Sequence, residues 1–244
     1  MTPLLSVKHL SRAFGGVAAV ADVSFDIPRG SLVALIGPNG AGKTTVLNLL
    51  NGTITADDGS IKLENQQIFS ASIETRARLG ISRTFQLSRA FRNLTVRDHL
   101  LLASSDQDDA ILSGWKTPRI SEDELEAALR RVFLDVPLET PARALSYGQG
   151  KLLQIAMALL RPHRLLLCDE PVAGVNPVLR DALIELFQRL RTEGETMLLV
   201  EHDLGFVRAL ADQVIAMENG RIIANGTPQE VFANEHVIAA YVGT

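Results

Sequence analysis

Eight consecutive residues, Gly37-Pro38-Asn39-Gly40-Ala41-Gly42-Lys43-Thr44, have the types and spacing to hold phosphate. They fit the pattern G-x-x-x-x-G-K-[ST]. Glycines let backbone N–H groups turn inward around an anion with no Cβ in the way. Lys43 supplies positive charge for the β- and γ-phosphates of a nucleotide, the Thr44 hydroxyl is a ligand for Mg²⁺, and Thr45 continues the same turn. A helix predicted to follow, with Val46, Leu47, Leu49 and Leu50 as its apolar positions, aims its N-terminal dipole at the same anions. Alone, this segment implies a nucleotide site and no more.

A second segment, Leu165-Leu166-Leu167-Cys168-Asp169-Glu170, reads as a buried strand that ends in two carboxylates. A central strand delivers its end to the same sheet edge as the phosphate loop. Asp169 suits the shell of a Mg²⁺ ion, and Glu170 suits a general base that polarises an attacking water. In a third, Leu145-Ser146-Tyr147-Gly148-Gln149 precedes the helical run from Leu152 to Leu160. Ser146 and the N–H groups of a helix start make an anion site, although, read alone, an ordinary serine cap is the favoured account of the serine.

The elements that must position these residues alternate. Leu5 to Val7, Val20 to Ile27, Ser31 to Ile36, Ser60 to Leu63 and Gly80 to Phe85 are predicted strands, punctuated by Gly15-Gly16 and Pro28-Arg29-Gly30. The stretch from Leu87 to about Arg161 reads as a mostly helical insert. It holds a helix over Thr95–Ala103, a polar loop from Ser104 to Asp109, and a second helix that Ser121 and Glu124 open with a capping box and that runs to about Phe133. Beyond it, Leu165–Cys168 and Thr196–Val200 are predicted strands, and Val178–Arg191 and Leu204–Leu210 are predicted helices. A hairpin and short helices follow Gln213. Strand–helix alternation implies parallel pairing through crossovers.

With 244 residues, 46% of them hydrophobic and 5% aromatic, the chain can build one aliphatic core of helices on a sheet. A net charge of −4 argues against a nucleic-acid partner. The single cysteine, Cys168, rules out an intramolecular disulfide and fits a reducing compartment; its apolar surroundings suit a small buried hydrophobe. No stretch approaches the ~18 apolar residues of a membrane helix, and Met1 to Lys8 lacks the pattern of a secretory leader. A soluble chain that serves a membrane process must dock onto another protein.

Together the three segments resemble the ATPase cassettes of ABC transporters, whose signature is usually written LSGGQ; here Tyr147 stands for the first glycine. The resemblance continues in order along nearly the whole chain. Phe14 lies where the family places an aromatic against adenine. Gln86 in Thr84-Phe85-Gln86 matches the Q-loop, Pro171 to Pro177 the D-loop, and His202 in Glu201-His202-Asp203 the switch histidine.

The resemblance implies an α/β fold: a P-loop nucleotide-hydrolase core with an antiparallel β subdomain and a helical insert. The chain is then one ATP-binding domain over 1–244, with 1–86 and 162–244 as nucleotide-binding core and 87–161 as the helical subdomain. It also implies Mg-ATP hydrolysis with Glu170, His202 and Gln86 as catalytic residues, and Thr44, Gln86 and Asp169 around the metal. Phe14, the residues Gly37 to Thr45, and the turn Ser146, Tyr147, Gly148 and Gln149 would contact nucleotide, this last turn across a sandwich formed with a second ATPase subunit. Permease subunits in the membrane and, indirectly, a solute-binding protein are the other implied partners. The implied location is peripheral, on the cytoplasmic face of the inner membrane.

Arg83 to Gln86 with Phe91 to Val96, the tyrosine in the signature, Glu170 to Pro177 with Asn176, and the ending Ala239-Ala240-Tyr241-Val242-Gly243 are similar to the ATPases of branched-chain amino-acid importers. The match is to the longer-tailed subunit of the pair. Relatives of those importers carry urea, short amides and other small acids, so the solute stays open. The alternatives are the ATPase of a lipopolysaccharide exporter, or a non-transport ABC ATPase. Apolar Leu87, Phe91, Leu94 and Val96 make either an ordinary helix start or a groove for a short permease helix.

Overall fold

The computed structural model describes residues 2–84, 93–104 and 120–242. Gln86, and the docking segment from Leu87 to Arg92, lie outside them, as does the polar loop after Ser104.

Two compact units divide the chain. The first comprises Met1–Arg83, His163–Ala173 and Leu183–Thr244; the second comprises Thr84–Pro162 and Gly174–Ala182. The stretch Gly174–Ala182 therefore groups with the helical unit, whereas the sequence predicted it in the nucleotide-binding core.

Among the described residues the first unit holds two sheets. Strands β1 (Leu5–Phe14) and β2 (Val17–Ile27) form an antiparallel hairpin through Gly15-Gly16, and β4 (Asp58–Leu63) and β5 (Gln66–Gln67) continue the sheet in the order β2-β1-β4-β5. Both hairpin strands are longer than the sequence predicts. Register shifts between Val7 and Ala13, together with positive φ at His9 and Asp22, break the period-two alternation by which strands are read.

The other sheet runs β10-β9-β3-β8-β7-β6. It contains β3 (Leu32–Ile36), β6 (Ile81–Arg83), β7 (Leu165–Asp169), β8 (Met197–Val200), β9 (Gln213–Glu218) and β10 (Arg221–Gly226). All neighbours pair in parallel except β9 and β10, which form a hairpin. Strands β3 and β8 are buried throughout, as parallel strands covered on both faces must be.

Alternate residues of β3 serve opposite faces. Val33 and Leu35 pack in the cluster that holds Val46, Leu47, Leu49 and Leu50 of helix α1 (Lys43–Asn51). Ala34 and Ile36 pack with Val207, Val231 and Val237. Cys168 is fully buried in β7. The short helix α2 (Ile73–Arg78) is absent from the sequence expectation. Its Arg76 is buried and donates to the carbonyls of Leu49, Leu50, Phe69 and Ala71, so it caps the C-terminal, electronegative end of α1.

The second unit holds α3 (Val96–Ser104), α4 (Glu122–Arg131) and α5 (Tyr147–Leu160). The Ser121–Glu124 capping box is present, and the helix stops two residues short of Phe133, which adopts φ +59°. Helix α6 (Pro177–Thr192) follows β7, α7 (Leu204–Leu210) follows β8, and α8 (Pro228–Phe232) and α9 (Glu235–Val242) close the chain.

Candidate nucleotide site

Three neighbouring strands bring the chemistry to one edge. Leu35 of β3 pairs with Val200 of β8, and Val200 pairs with Asp169 of β7, so the three residues form one row across the sheet. Beyond that row the chain continues as the glycine-rich turn, as Glu201-His202, and as Glu170. The backbone N–H of Glu170 donates to Val200 O at 2.9 Å and that of Glu201 to Leu35 O at 3.3 Å, which carries the alignment one residue past the strands.

The turn from β3 to α1 is tightly constrained. Gly42, the residue before α1, sits at φ +99°, and a Cβ there would lie 2.3 Å from Ala19 O. A Cβ on Gly37 would lie 2.2 Å from Met217 O. Helix α1 has no side-chain cap, so its first N–H groups are left for an anion. Lys43 is 7% exposed, and its Nζ arches back to donate to Gly37 O at 2.7 Å and Pro38 O at 2.9 Å. Burial lowers its pKa, against the pull of the Glu170 and Asp169 carboxylates. Thr44 is exposed and Thr45 half-buried at the helix start; Asn39 and Gly40 are exposed, Pro38 is half-buried and Ala41 is buried.

Asp169 accepts from Arg83 Nη2 at 2.8 Å, and Arg83 Nη1 donates to Asn48 Oδ1 at 2.7 Å. Glu170 adopts φ +46°, a left-handed conformation that costs a residue with a Cβ about 1 kcal/mol or more. Its carbonyl accepts from Ala173 N at 3.2 Å. His202 Nδ1 lies 3.7 Å from Glu170 Oε1. Phe14, at the end of β1, is 45% exposed, with the Arg12 guanidinium 4.8 Å from its ring centre. A half-open aromatic face is free to stack a planar base.

The second unit carries the signature turn. Ser146 caps α5: its hydroxyl accepts from Gln149 N at 3.2 Å, while Gln149 Oε1 accepts from Ser146 N at 2.9 Å. Tyr147 is exposed, 5.8 Å from Lys151 Nζ, and its ring lies beside Gly174. A Cβ on Gly148 would meet Leu179 Cδ2 at 2.3 Å.

Lys43, Asp169, Glu170 and His202 thus come together in the first unit, and Ser146 to Gln149 form one helix start in the second. No group of three or more His, Cys, Asp or Glu side chains able to hold a metal is present among the described residues. The donors at hand, Thr44 and Asp169, are hard oxygens of the kind that hold Mg²⁺ together with substrate phosphates and water, so the site fits that ion. Two participants lie inside quoted motifs but receive no site role from the sequence. Arg83 is one. The other is Glu201, fully buried, whose Oε1 accepts from Val172 N at 3.0 Å and whose Oε2 accepts from His202 N at 3.1 Å and Asp203 N at 3.4 Å. An acidic residue directly after an apolar strand was the available signal.

Comparison with known proteins gives the family. Residues 20–173 match the ABC transporter family model, and residues 221–244 match that of the branched-chain amino acid ATP-binding cassette transporter. The chain is 36% identical over 245 residues to the probable branched-chain amino acid transport ATP-binding protein LivG of Archaeoglobus fulgidus, covering 98% of this chain and 95% of that one. It is 39% identical over 250 residues to the high-affinity branched-chain amino acid transport ATP-binding protein LivG of Salmonella typhimurium, covering 99% and 98%. A crystal structure of a nucleotide-free ATP-binding cassette from an ABC transporter superposes with a TM-score of 0.87 at 30% identity over the whole of both chains. Among the described residues no helix is long and apolar enough to cross a membrane. The chain belongs to the ATP-binding cassette family, as an ATP-hydrolysing subunit that works with the membrane permease components of an ABC transporter.

Proposed function

We propose that the chain energises import of branched-chain or closely related amino acids, hydrolysing Mg-ATP at the edge formed by the turns after β3, β7 and β8. The observation that carries the site is the row Leu35–Val200–Asp169 across three neighbouring strands, which brings the Lys43 turn, Glu170 and the Glu201-His202 turn to one sheet edge. The match of residues 221–244, and relatives whose names state branched-chain amino acid transport, support the importer over a lipopolysaccharide exporter or a non-transport ATPase.

Lys43 would leave its two loop carbonyls for the β- and γ-phosphate oxygens, a charge-assisted exchange. Thr44 and Asp169 would hold Mg²⁺, with Arg83 fixing the Asp169 carboxylate. Bound there, Mg²⁺ supplies positive charge against the phosphate oxygens. Glu170 would take a proton from the attacking water as its oxygen bonds to the γ-phosphorus and the bond to the ADP oxygen breaks. His202 would donate a hydrogen bond to the γ-phosphate, Gln86 would contact the water and the metal, and Phe14 would stack on adenine. The Ser146–Gln149 turn would face the γ-phosphate held by a second ATPase subunit. The subunit would sit on the cytoplasmic face of the inner membrane, with a solute-binding protein serving the permease from the other side.

The test is reconstitution with the permease and the solute-binding protein. Leucine-loaded binding protein should stimulate ATP turnover, and Glu170→Gln should lower that turnover ~10²-fold, as loss of a general base does. Stimulation by urea or a short amide, and none by leucine, isoleucine or valine, would refute the solute assignment.

A further inference from the structure

The turn that carries Glu170 and the turn that carries His202 leave different strands, and one side chain is bonded to both. Glu201 is 0% exposed. One of its oxygens holds the N–H of Val172, two residues past Glu170, at 3.0 Å; the other holds the N–H of His202 at 3.1 Å. We propose that Glu201 is a positioning residue for ATP hydrolysis, a single carboxylate that fixes the base-bearing turn and the histidine-bearing turn to each other. The proposal rests on the reading of Glu170 as base and His202 as its neighbour at the γ-phosphate.

Three observations support it. Glu170 is held in a left-handed backbone conformation, so its direction depends on what anchors the residues around it. Its own N–H is anchored on Val200 O and its carbonyl on Ala173 N, which leaves Val172 as the next donor along the turn, and Glu201 takes it. On the other side, the Asp203 carboxylate accepts from Phe206 N at 2.8 Å and caps α7, so Glu201 fixes the histidine turn at its start and Asp203 at its end. Lastly, burial pushes the Glu201 carboxyl above the usual carboxylate range while the three N–H groups pull the other way. A group that costs charge burial in the resting fold, yet spans two functional turns, is better explained by alignment than by stability.

Glu201→Gln tests this, because the amide keeps the size of the side chain but replaces one acceptor oxygen with a donor that cannot hold its N–H. In the full chain, kcat should fall about tenfold while KM for ATP stays within about twofold, the pattern of a displaced supporting group. The unfolding midpoint should shift little, since relief of the buried charge offsets the N–H that the amide leaves unpaired. In a Glu170→Gln background, single-turnover hydrolysis should lose nothing further, because the two residues act through the same step. A parental kcat for Glu201→Gln beside a slowed Glu170→Gln overturns the positioning role alone. So does an equal further loss in the Glu170→Gln background, or a fall in kcat matched by rising KM and a lower midpoint. Normal turnover by Glu170→Gln itself would remove the base assignment and this inference with it. Should Glu201→Gln fail to fold, Glu201→Asp, which keeps the charge and withdraws it by one methylene, carries the same comparisons.

Discussion

Arg83 Nη2 donates to Asp169 Oδ2 at 2.8 Å, and both side chains are mostly buried. The guanidinium also holds Asn48 of α1, so the last residue of β6 is tied at once to the end of β7 and to the helix that follows the phosphate loop. A planar fork makes that double contact and an ammonium does not. Arg83→Lys should therefore lower kcat/KM for Mg-ATP about tenfold and raise the Mg²⁺ concentration needed for half-maximal turnover. It should also cost about 1.5–3 kcal/mol in urea unfolding, the range for a hydrogen bond to a charged group. Unchanged Mg²⁺ dependence would separate Arg83 from the metal site.

Lys43→Ala removes the main side-chain counter-ion for the β- and γ-phosphates. ATP affinity should fall at least tenfold, about 1.4 kcal/mol, while adenosine is held almost as before. Titration calorimetry with both ligands is the check, and parental Mg-ATP binding by the variant would rule out the phosphate-loop assignment.

Glu170→Gln should accumulate an ATP-dependent dimer that ADP does not support, because it loses both the base and a negative charge near the γ-phosphate. Adding Ser146→Arg should abolish that dimer and leave ATP binding to the monomer intact. Light scattering of the chain alone, and with a second, similar ATPase subunit added, decides between these outcomes.

Arg76 makes its four carbonyl contacts from a buried position at the end of α1. Arg76→Met fills similar space but strands those acceptors, so it should cost about 2–4 kcal/mol. A lower urea midpoint with an unchanged slope is the expected signature, with nucleotide affinity affected less than stability.

Acid stability has a definite sign. Hydrogen bonds from the Thr227 backbone N–H and hydroxyl hold the Glu230 carboxyl below its ordinary value, and Ser121 does the same for Glu124. A depressed carboxylate contributes stability that is present above its unfolded pKa, near 4.5, and is lost as pH falls through the folded value. Glu201, whose pKa is raised, acts in the opposite sense: its contribution is greatest at low pH and is lost as pH rises. The melting temperature of Glu230→Gln should thus fall less steeply than the parent's below pH 5, measured as a difference so that the shared Glu201 contribution cancels.

Strands β3 and β8 were legible because parallel central strands are apolar at every position, β7 because only its last residue, Asp169, departs from that, and α4 because Ser121 and Glu124 close a cap that depends on spacing alone. The full lengths of β1 and β2 were not, since bulges and left-handed residues at His9 and Asp22 put polar side chains out of period. Helix α2 hid for another reason: six residues, IETRAR, are too few for a face to show, and its buried member is a charged arginine. Motif spacing located Lys43, Asp169, Glu170 and His202. It gave no role to Glu201 and Arg83, whose importance lies in hydrogen bonds formed between strands distant in sequence.

Cys168 is the only thiol in the chain, lies wholly inside β7, and has its pKa pushed up by burial and by the neighbouring carboxylates. A thiolate is the species that reacts with maleimides, and here it is suppressed both by access and by acidity. The native protein is therefore already a clean background for site-specific labelling, with no cysteine to remove. A fluorophore at Val178→Cys, a position 80% exposed at the start of α6, would attach at one place and report subunit association in real time.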